Sequence, residues 1–420
     1  MGMIKRVAMP KRATLRALIV ATVFVASFGL VGTTHAGGGP AGRTLTFGAA
    51  LSLTGSTAEE GGLVLHGYQL WAQAVDRQGG VTVGGLSYRV ALKYYDDGGN
   101  PARSAQLTQR LVTVDRVNFL LGPYGSAATL ADEVVARRYR VPMVEGGGAS
   151  TAIFSGRNPY IFGVISLAPG YGQVMLQAAL AVPSPPRTLA IIYASDPFSR
   201  EVASTARSYA LAHGMRVVSY QQYPSGETNL TAVVSGLKSA KPDMLLGSGH
   251  ARESIAVMTE ARRLGFNPKL FAFTVGPATP GFTQTLGSAA DDVISSAQWT
   301  AEERAQGIDV FGTPANYARI YAATYGHPPA YQAAAATAAG LAYQYAIRQA
   351  DSIGRQRVRN ALARLHIQTF FGPIGFDARG ANMYKTMVVI QIQRGRIVTV
   401  HPPAVATATM VYPTPPFRRR

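Results

Sequence analysis

The chain contains no cysteine. That excludes a disulfide scaffold, a thiolate zinc site, an iron–sulfur cluster and a thiol nucleophile. Acidic side chains are also scarce: 22 Asp and Glu face 40 Lys and Arg, a formal charge of +18. The usual marks of catalysis are missing as well. There is no Gly-x-Ser-x-Gly elbow, no Gly-x-x-x-x-Gly-Lys-Ser/Thr phosphate loop and no His-Glu-x-x-His. The seven histidines are scattered along the sequence. No metal site and no cofactor is therefore expected, and the reading is of a protein that is not an enzyme. Charge alone invites a nucleic-acid partner, but no basic segment interleaved with aromatics supports one. What is present is 420 residues at 47% hydrophobic, enough for two or three folding units with proper cores.

The first residues read as an address. Lys5, Arg6, Lys11, Arg12 and Arg16 precede an uncharged apolar run, Ala17 to Val31, and then Thr34-His35-Ala36. This pattern predicts a secretory signal peptide over residues 1–36, cut after Ala36. The run is shorter than the ~20 residues a membrane span needs. Without cysteine there is no lipid attachment site, so an untethered periplasmic product is expected. Leader removal takes five basic residues off the total. At the other end, 401–420 is a Pro-rich basic tail (Pro402, Pro403, Pro413, Pro415 and Pro416, then Arg418 to Arg420) expected to be unstructured.

From Arg43 onward, short apolar runs alternate with amphipathic stretches. Strands are predicted at Leu45–Leu51, Arg89–Tyr95, Phe119–Leu121, Pro142–Glu145, Leu189–Tyr193, Arg216–Tyr220, Met244–Gly247 and Leu270–Thr274. Helices fall between them, such as Ser126–Tyr139 and Ser254–Leu264. Strand–helix–strand repetition with few hairpins argues for an α/β fold with parallel sheets. The repetition comes in two blocks, split by Pro183, Pro185 and Pro186. Helices at Pro314–Tyr325, Tyr331–Ala350 and Gln356–Leu365 follow, then strands at Thr386–Gln393 and Ile397–Val400, which must complete sheets begun earlier. Two lobes facing across a cleft are the economical arrangement.

Two strand ends carry one device. Gly122-Pro123-Tyr124-Gly125-Ser126 and Glu145-Gly146-Gly147-Gly148-Ala149-Ser150 each cross a glycine turn and end in a serine. A helix start with exposed N–H groups receives a carboxylate well, although each serine alone reads as an ordinary N-cap. Asp96-Asp97 could hold a metal, but before Gly98-Gly99-Asn100-Pro101 it reads as a strand end and cap.

These loops, with Gly48-Ala49-Ala50-Leu51-Ser52-Leu53-Thr54-Gly55, Tyr95-Asp96-Asp97 with Pro101, and Gly372-Pro373-Ile374-Gly375-Phe376-Asp377 with Gly380, resemble the leucine/isoleucine/valine-binding type of periplasmic solute receptor. The resemblance runs from about Arg43 to Val400. It implies a type I periplasmic-binding fold, two Rossmann-like lobes joined by a multi-strand hinge, with lobe 1 at 43–166 and 298–370 and lobe 2 at 167–297 and 371–400. It further implies a monomer that captures a small carboxylate, by default an amino acid, for an ABC permease and its ATPase. Ser126 and Ser150 then fall where the family holds the carboxylate, with Tyr124, Gly125, Gly148, Ala149 and Glu60 beside them. Phe198, His250 and Tyr331 complete the pocket. One position departs from the family: an acid that holds the α-ammonium is replaced, at Thr274, by a neutral hydroxyl. Either Glu60 or Glu145 takes over, or the ligand is an aromatic acid, keto acid or amide without an α-amino group. A sensory ligand-binding component, or a secreted hydrolase using Ser126 or Ser150 with His250, are the more distant readings.

Overall fold

The computed structural model describes residues 43–417; the expected leader, residues 1–36, lies outside them. The first sheet is built from β1 (Arg43–Leu51), β2 (Val81–Val83), β3 (Leu86–Asp96), β4 (Phe119–Leu121), β5 (Met143–Glu145) and β6 (Ile161–Gly163). Its order is β2-β3-β1-β4-β5-β6, parallel except for the β2–β3 hairpin. The second contains β7 (Thr188–Ala194), β8 (Arg216–Tyr223), β9 (Met244–Ser248), β10 (Leu270–Phe273) and β11 (Ile294–Ala297). A two-stranded ribbon, β12 (His366–Thr369) with β13 (Gly372–Gly375), precedes β14 (Val388–Gln393) and β15 (Arg396–His401). The second sheet runs β15-β14-β11-β10-β9-β7-β8, with only the last two strands of the chain antiparallel.

The helices are α1 (Ala58–Arg77), α2 (Pro101–Thr113), α3 (Ser126–Tyr139), α4 (Ala152–Ser155), α5 (Pro169–Leu180) and α6 (Pro197–Ala212), followed by α7 (Thr231–Ala240), α8 (Ala251–Leu264), α9 (Pro280–Leu286), α10 (Pro314–Tyr325), α11 (Tyr331–Ala350) and α12 (Arg355–Leu362). Among the described residues, no helix is long and apolar enough to cross a membrane. Short strands such as Phe-Leu-Leu in β4 are buried throughout, as expected for parallel strands covered on both faces. The helix α11, rich in alanine, is almost wholly buried and packs on α1 and β5 of the first sheet. Its Tyr343 hydroxyl reaches the carbonyls of Leu120 (2.8 Å) and Pro142 (2.6 Å), binding β4 and the entry to β5 together.

In both sheets the order reverses beside the first strand laid down, between β1 and β4 and between β7 and β9. Ligands of doubly wound sheets bind outside the carboxyl ends of strands at such points. The chain crosses between the lobes after β6, after β11 and before β14. The crossings are tied at one place: Gln298 accepts from the Ser166 amide (2.9 Å) and donates to its carbonyl (3.0 Å), while the Ser166 hydroxyl donates to the Lys385 carbonyl (2.6 Å).

The Pro-rich end, expected to be unstructured, is a strap along the second sheet as far as Phe417. The Gln391 side chain pairs with both backbone groups of Val411 (2.9 and 2.8 Å), and the Thr414 amide donates to the Lys269 carbonyl (2.8 Å). Proline removes the donor that a further strand would need, so side-chain amides do the pairing. Met410 and Tyr412 pack against an apolar cluster of the second lobe.

Candidate functional site

The loops after β4 and β5 form the first-lobe wall of the cleft. Gly125 holds φ 86°, a left-handed conformation that a side chain would strain, and it places Ser126 at the start of α3. A Cβ on Gly147 would come within 2.5 Å of the Pro123 carbonyl oxygen, so glycine lets the two loops press together. The Ser126 hydroxyl accepts from the amides of Ala149 (3.1 Å) and Ser150 (3.0 Å), locking the second loop to the first. The first intrahelical donor of α3 is the amide of Thr129, to Gly125. The amides of Ser126, Ala127 and Ala128 therefore stand at the positive end of the helix without an intrahelical acceptor. Glu145 braces the loop from behind, one oxygen accepting from Gly147 (2.8 Å) and Gly148 (2.6 Å). Burial, only partly offset by those amides, raises its pKa to about 8.

The second lobe contributes charged side chains. His250, N-cap of α8, is buried; its Nδ1 lies 3.0 Å from the Tyr124 hydroxyl across the cleft and its Nε2 3.7 Å from Asp196. Burial opposes a charged ring, but the Asp196 carboxylate, then Glu253 and Glu60, outweigh it and raise the pKa of His250 to about 10. The same pairing, with Ser199, overcomes burial at Asp196 and lowers its pKa to about 2. His250 is thus an imidazolium at neutral pH. Glu253 accepts from the His250 amide (3.0 Å), and Glu60 of the first lobe accepts from the Ala251 amide (2.9 Å). Burial raises the Glu60 pKa, against the charge of His250 and that amide.

A small cavity of about 10 Å³ lies where the walls meet, lined by Tyr124, Gly125, Ser126, Gly146, Gly147, Ala149, Ile165, Tyr171, Phe198, His250, Val275 and Tyr331. The edge of Phe198 meets Tyr171 with ring centroids 5.0 Å apart, and Tyr124 meets His250 at 5.5 Å. Beyond Tyr124 and His250 a polar vestibule of about 290 Å³ includes Ser56, Thr57, Ala127, Asp196 and Gly226.

Seven of the expected residues therefore line the cavity: Tyr124, Gly125, Ser126, Ala149, Phe198, His250 and Tyr331. Gly148, Ser150, Glu60 and Thr274 do not. Gly148 packs against Thr129 and Ile153. The Ser150 hydroxyl donates to Glu201 (2.7 Å). Thr274 is turned to the β9–α8 turn, where its hydroxyl donates to the Gly249 carbonyl (2.8 Å) and accepts from its amide (3.1 Å). Sequence reading missed Tyr171, which sits one turn into a proline-started helix, and the two partners Asp196 and Glu201. Asp196-Pro197 before an amphipathic stretch was the available signal for the first of these.

Neither serine hydroxyl is hydrogen-bonded to His250, whose ring nitrogens face Tyr124 and Asp196. The nucleophile–base pair that a hydrolase requires is not assembled. Asp96 instead accepts amides of Leu53, Thr54 and Gly98 in a turn, and Asn100 caps α2. Among the described residues, no group of three or more His, Asp or Glu is placed to hold a metal ion.

Residues 44–396 match the family described as periplasmic binding protein. A Leu/Ile/Val-binding protein homolog 7 of Brucella abortus is 23% identical over 398 residues, covering 91% of this chain and 98% of that protein. A leucine-binding protein of Thermotoga maritima aligns with TM-score 0.74 at 20% identity, over 85% of this chain and 97% of that one. A solute-binding protein of an ABC transporter from Rhodopseudomonas palustris BisB5, solved with 3,4-dihydroxybenzoic acid, aligns with TM-score 0.71 at 18% identity, over 84% and 95%. With its two doubly wound lobes and triple crossing, the chain belongs to the periplasmic binding proteins, of the type I, Leu/Ile/Val-binding kind.

Proposed function

We propose that the protein is the periplasmic receptor of an ABC importer, that it binds a small carboxylate lacking an α-amino group, an aromatic acid foremost, and that it presents the closed form to the permease and its ATPase. One observation carries this reading: the cavity is walled by rings and backbone N–H groups, with an imidazolium beside it and no carboxylate side chain in its lining. The carboxylate docks at the start of α3, where N–H groups and the helix dipole favour an anion, and His250 adds a full positive charge. Tyr124, Tyr171, Phe198 and Tyr331 clasp the ring edge-on and face-on. An α-ammonium would have no carboxylate to pair with at the cavity wall, and a buried unpaired cation is costly. Glu60 and Glu253 are already engaged by the amides of α8. A benzoate-sized acid is larger than the cavity, so the lobes part about the Ser166–Gln298–Lys385 clasp to admit it and close over it.

Among the structural relatives, one carries leucine in its name and another was solved with a dihydroxybenzoate; these two chemistries make the test. Calorimetric titration with benzoate, 4-hydroxybenzoate, leucine and isoleucine is expected to rank the aromatic acids first, and Ser126→Ala to weaken benzoate at least tenfold. Leucine binding more tightly than benzoate would overturn the aromatic reading and leave the receptor role standing.

A further inference from the structure

On the first lobe, the serine expected to hold the solute already holds a carboxylate. Glu201, one turn into α6 of the second lobe, accepts from the Ser150 hydroxyl (2.7 Å), the Thr151 amide (3.0 Å) and the Thr151 hydroxyl (2.5 Å). The contact bridges α6 and the loop entering α4, which belong to different sheets and are 50 residues apart in sequence. Ser150 is 2% exposed, and it does not border the cavity beside Tyr124 and His250. Three donors converging on one carboxylate make a receptor of the kind that recognises a solute acid. Here the acid is part of the protein.

We infer that Glu201 is an interlobe latch: it fills a second carboxylate receptor, formed by Ser150 and Thr151, and so holds the lobes together in the absence of solute. The inference does not rest on the identity of the solute, because its atoms all belong to the chain. Charge-assisted bonds to a partly buried acceptor at the edge of solvent are strong enough to bias a two-state hinge yet weak enough to release. The partition of labour follows. Ser126 and the start of α3 are left to the solute, while Ser150 serves closure. Glu201 is then a positioning residue for binding, acting on the equilibrium between open and closed forms.

The absence of cysteine allows a direct test. Arg137→Cys on α3 and Ser208→Cys on α6, both exposed, place spin labels on facing helices for a distance measurement without added solute. The otherwise unaltered chain is expected to give a single short distance. Glu201→Ala should move about half or more of the molecules to a longer one, an equilibrium change of at least tenfold, and Glu201→Gln a smaller share. Ser150→Ala with Thr151→Val should open the lobes to the same extent, and adding Glu201→Ala to that pair should open them no further. Circular dichroism checks that each variant is folded, and Glu201→Gln, which keeps the shape, serves if the alanine variant is not. A distance distribution unchanged by Glu201→Ala, or further opening in the triple variant, would overturn the latch.

Discussion

The two walls of the cleft solve the same problem with different materials. On the first lobe, the loops after β4 and β5 present backbone: glycines that let two turns touch, a serine that ties them, and the free amides of a helix start. On the second, the turns after β7 and β9 present ionised side chains, Asp196 and His250, bracketed by Glu253 and by Glu60 reaching across. Backbone donors are fixed by the fold and cannot titrate, whereas side chains can be exchanged singly. The difference bears on where specificity would be set on the function proposed above: the first wall would supply a general anion seat, and the second would decide what charge and shape the remainder of a solute must have.

Three experiments probe that contrast. The largest effect is expected from His250→Gln, which removes the imidazolium and leaves the largely buried Asp196 with the Ser199 amide but no charged partner. Breaking a buried pair from one side costs about 3–5 kcal/mol, so denaturant unfolding should register a loss of that order, and benzoate affinity should fall by a hundredfold or more. Retained affinity would place the anion seat wholly on the first wall. A smaller effect separates the lobes by pH. The second-lobe pair holds its charges from about pH 4 to 9, since Asp196 is lowered to about 2 and His250 raised to about 10. In the first lobe burial raises Asp132, against Ser104 and Thr108, and Glu145 to about 8. A carboxyl with a raised folded pKa lends stability below its unfolded value near 4, and loses it as pH climbs towards 8. Melting temperature should therefore decline between pH 4 and 8, with His250, raised from an unfolded value near 6.5, adding to the loss above that value. Asp132→Asn, neutral and of equal shape, should flatten the part of the decline below about pH 6. A slope identical in the variant would move the titrating group elsewhere. The smallest effect is expected at the clip behind His250: Thr274→Val loses two bonds to Gly249 and should cost about 1–2 kcal/mol. Thr274→Ser, which keeps the hydroxyl, should restore most of it in the same melt.

Much of this architecture could be read from residue order. Helices such as Ser126–Tyr139 and Tyr331–Ala350 begin and end where the apolar spacing places them. The strands that escaped had reasons to. In β11, Ile-Ser-Ser-Ala is a fully buried central strand whose serines mimic a loop, and β2 is three residues joined to β3 by Gly84-Gly85. Within the site, chain pattern identified the residues on strand-end loops, since their place follows from the topology. It could not show which partner each side chain takes. Ser150 and Thr274 lie near the cleft as expected, yet one is bound to Glu201 and the other to Gly249, contacts made between segments that sequence spacing does not relate. The proline-rich end misled for a similar reason, because its pairing depends on the side chain of Gln391 rather than on a strand ladder.

The discontinuity of the lobes also bears on how the chain is made. The first lobe's interior is filled by α11, which begins at Tyr331 and whose Tyr343 fastens β4 to β5. The second lobe needs β14, starting at Val388, beside β11, and then the strap to Thr414. During synthesis from the N-terminus, neither interior can close until most of the sequence exists. Apolar sheet faces stay uncovered meanwhile, and exposed surface of that kind is prone to aggregate. Completion of both cores is thereby deferred by the order of the chain until α11 and β14 have been made.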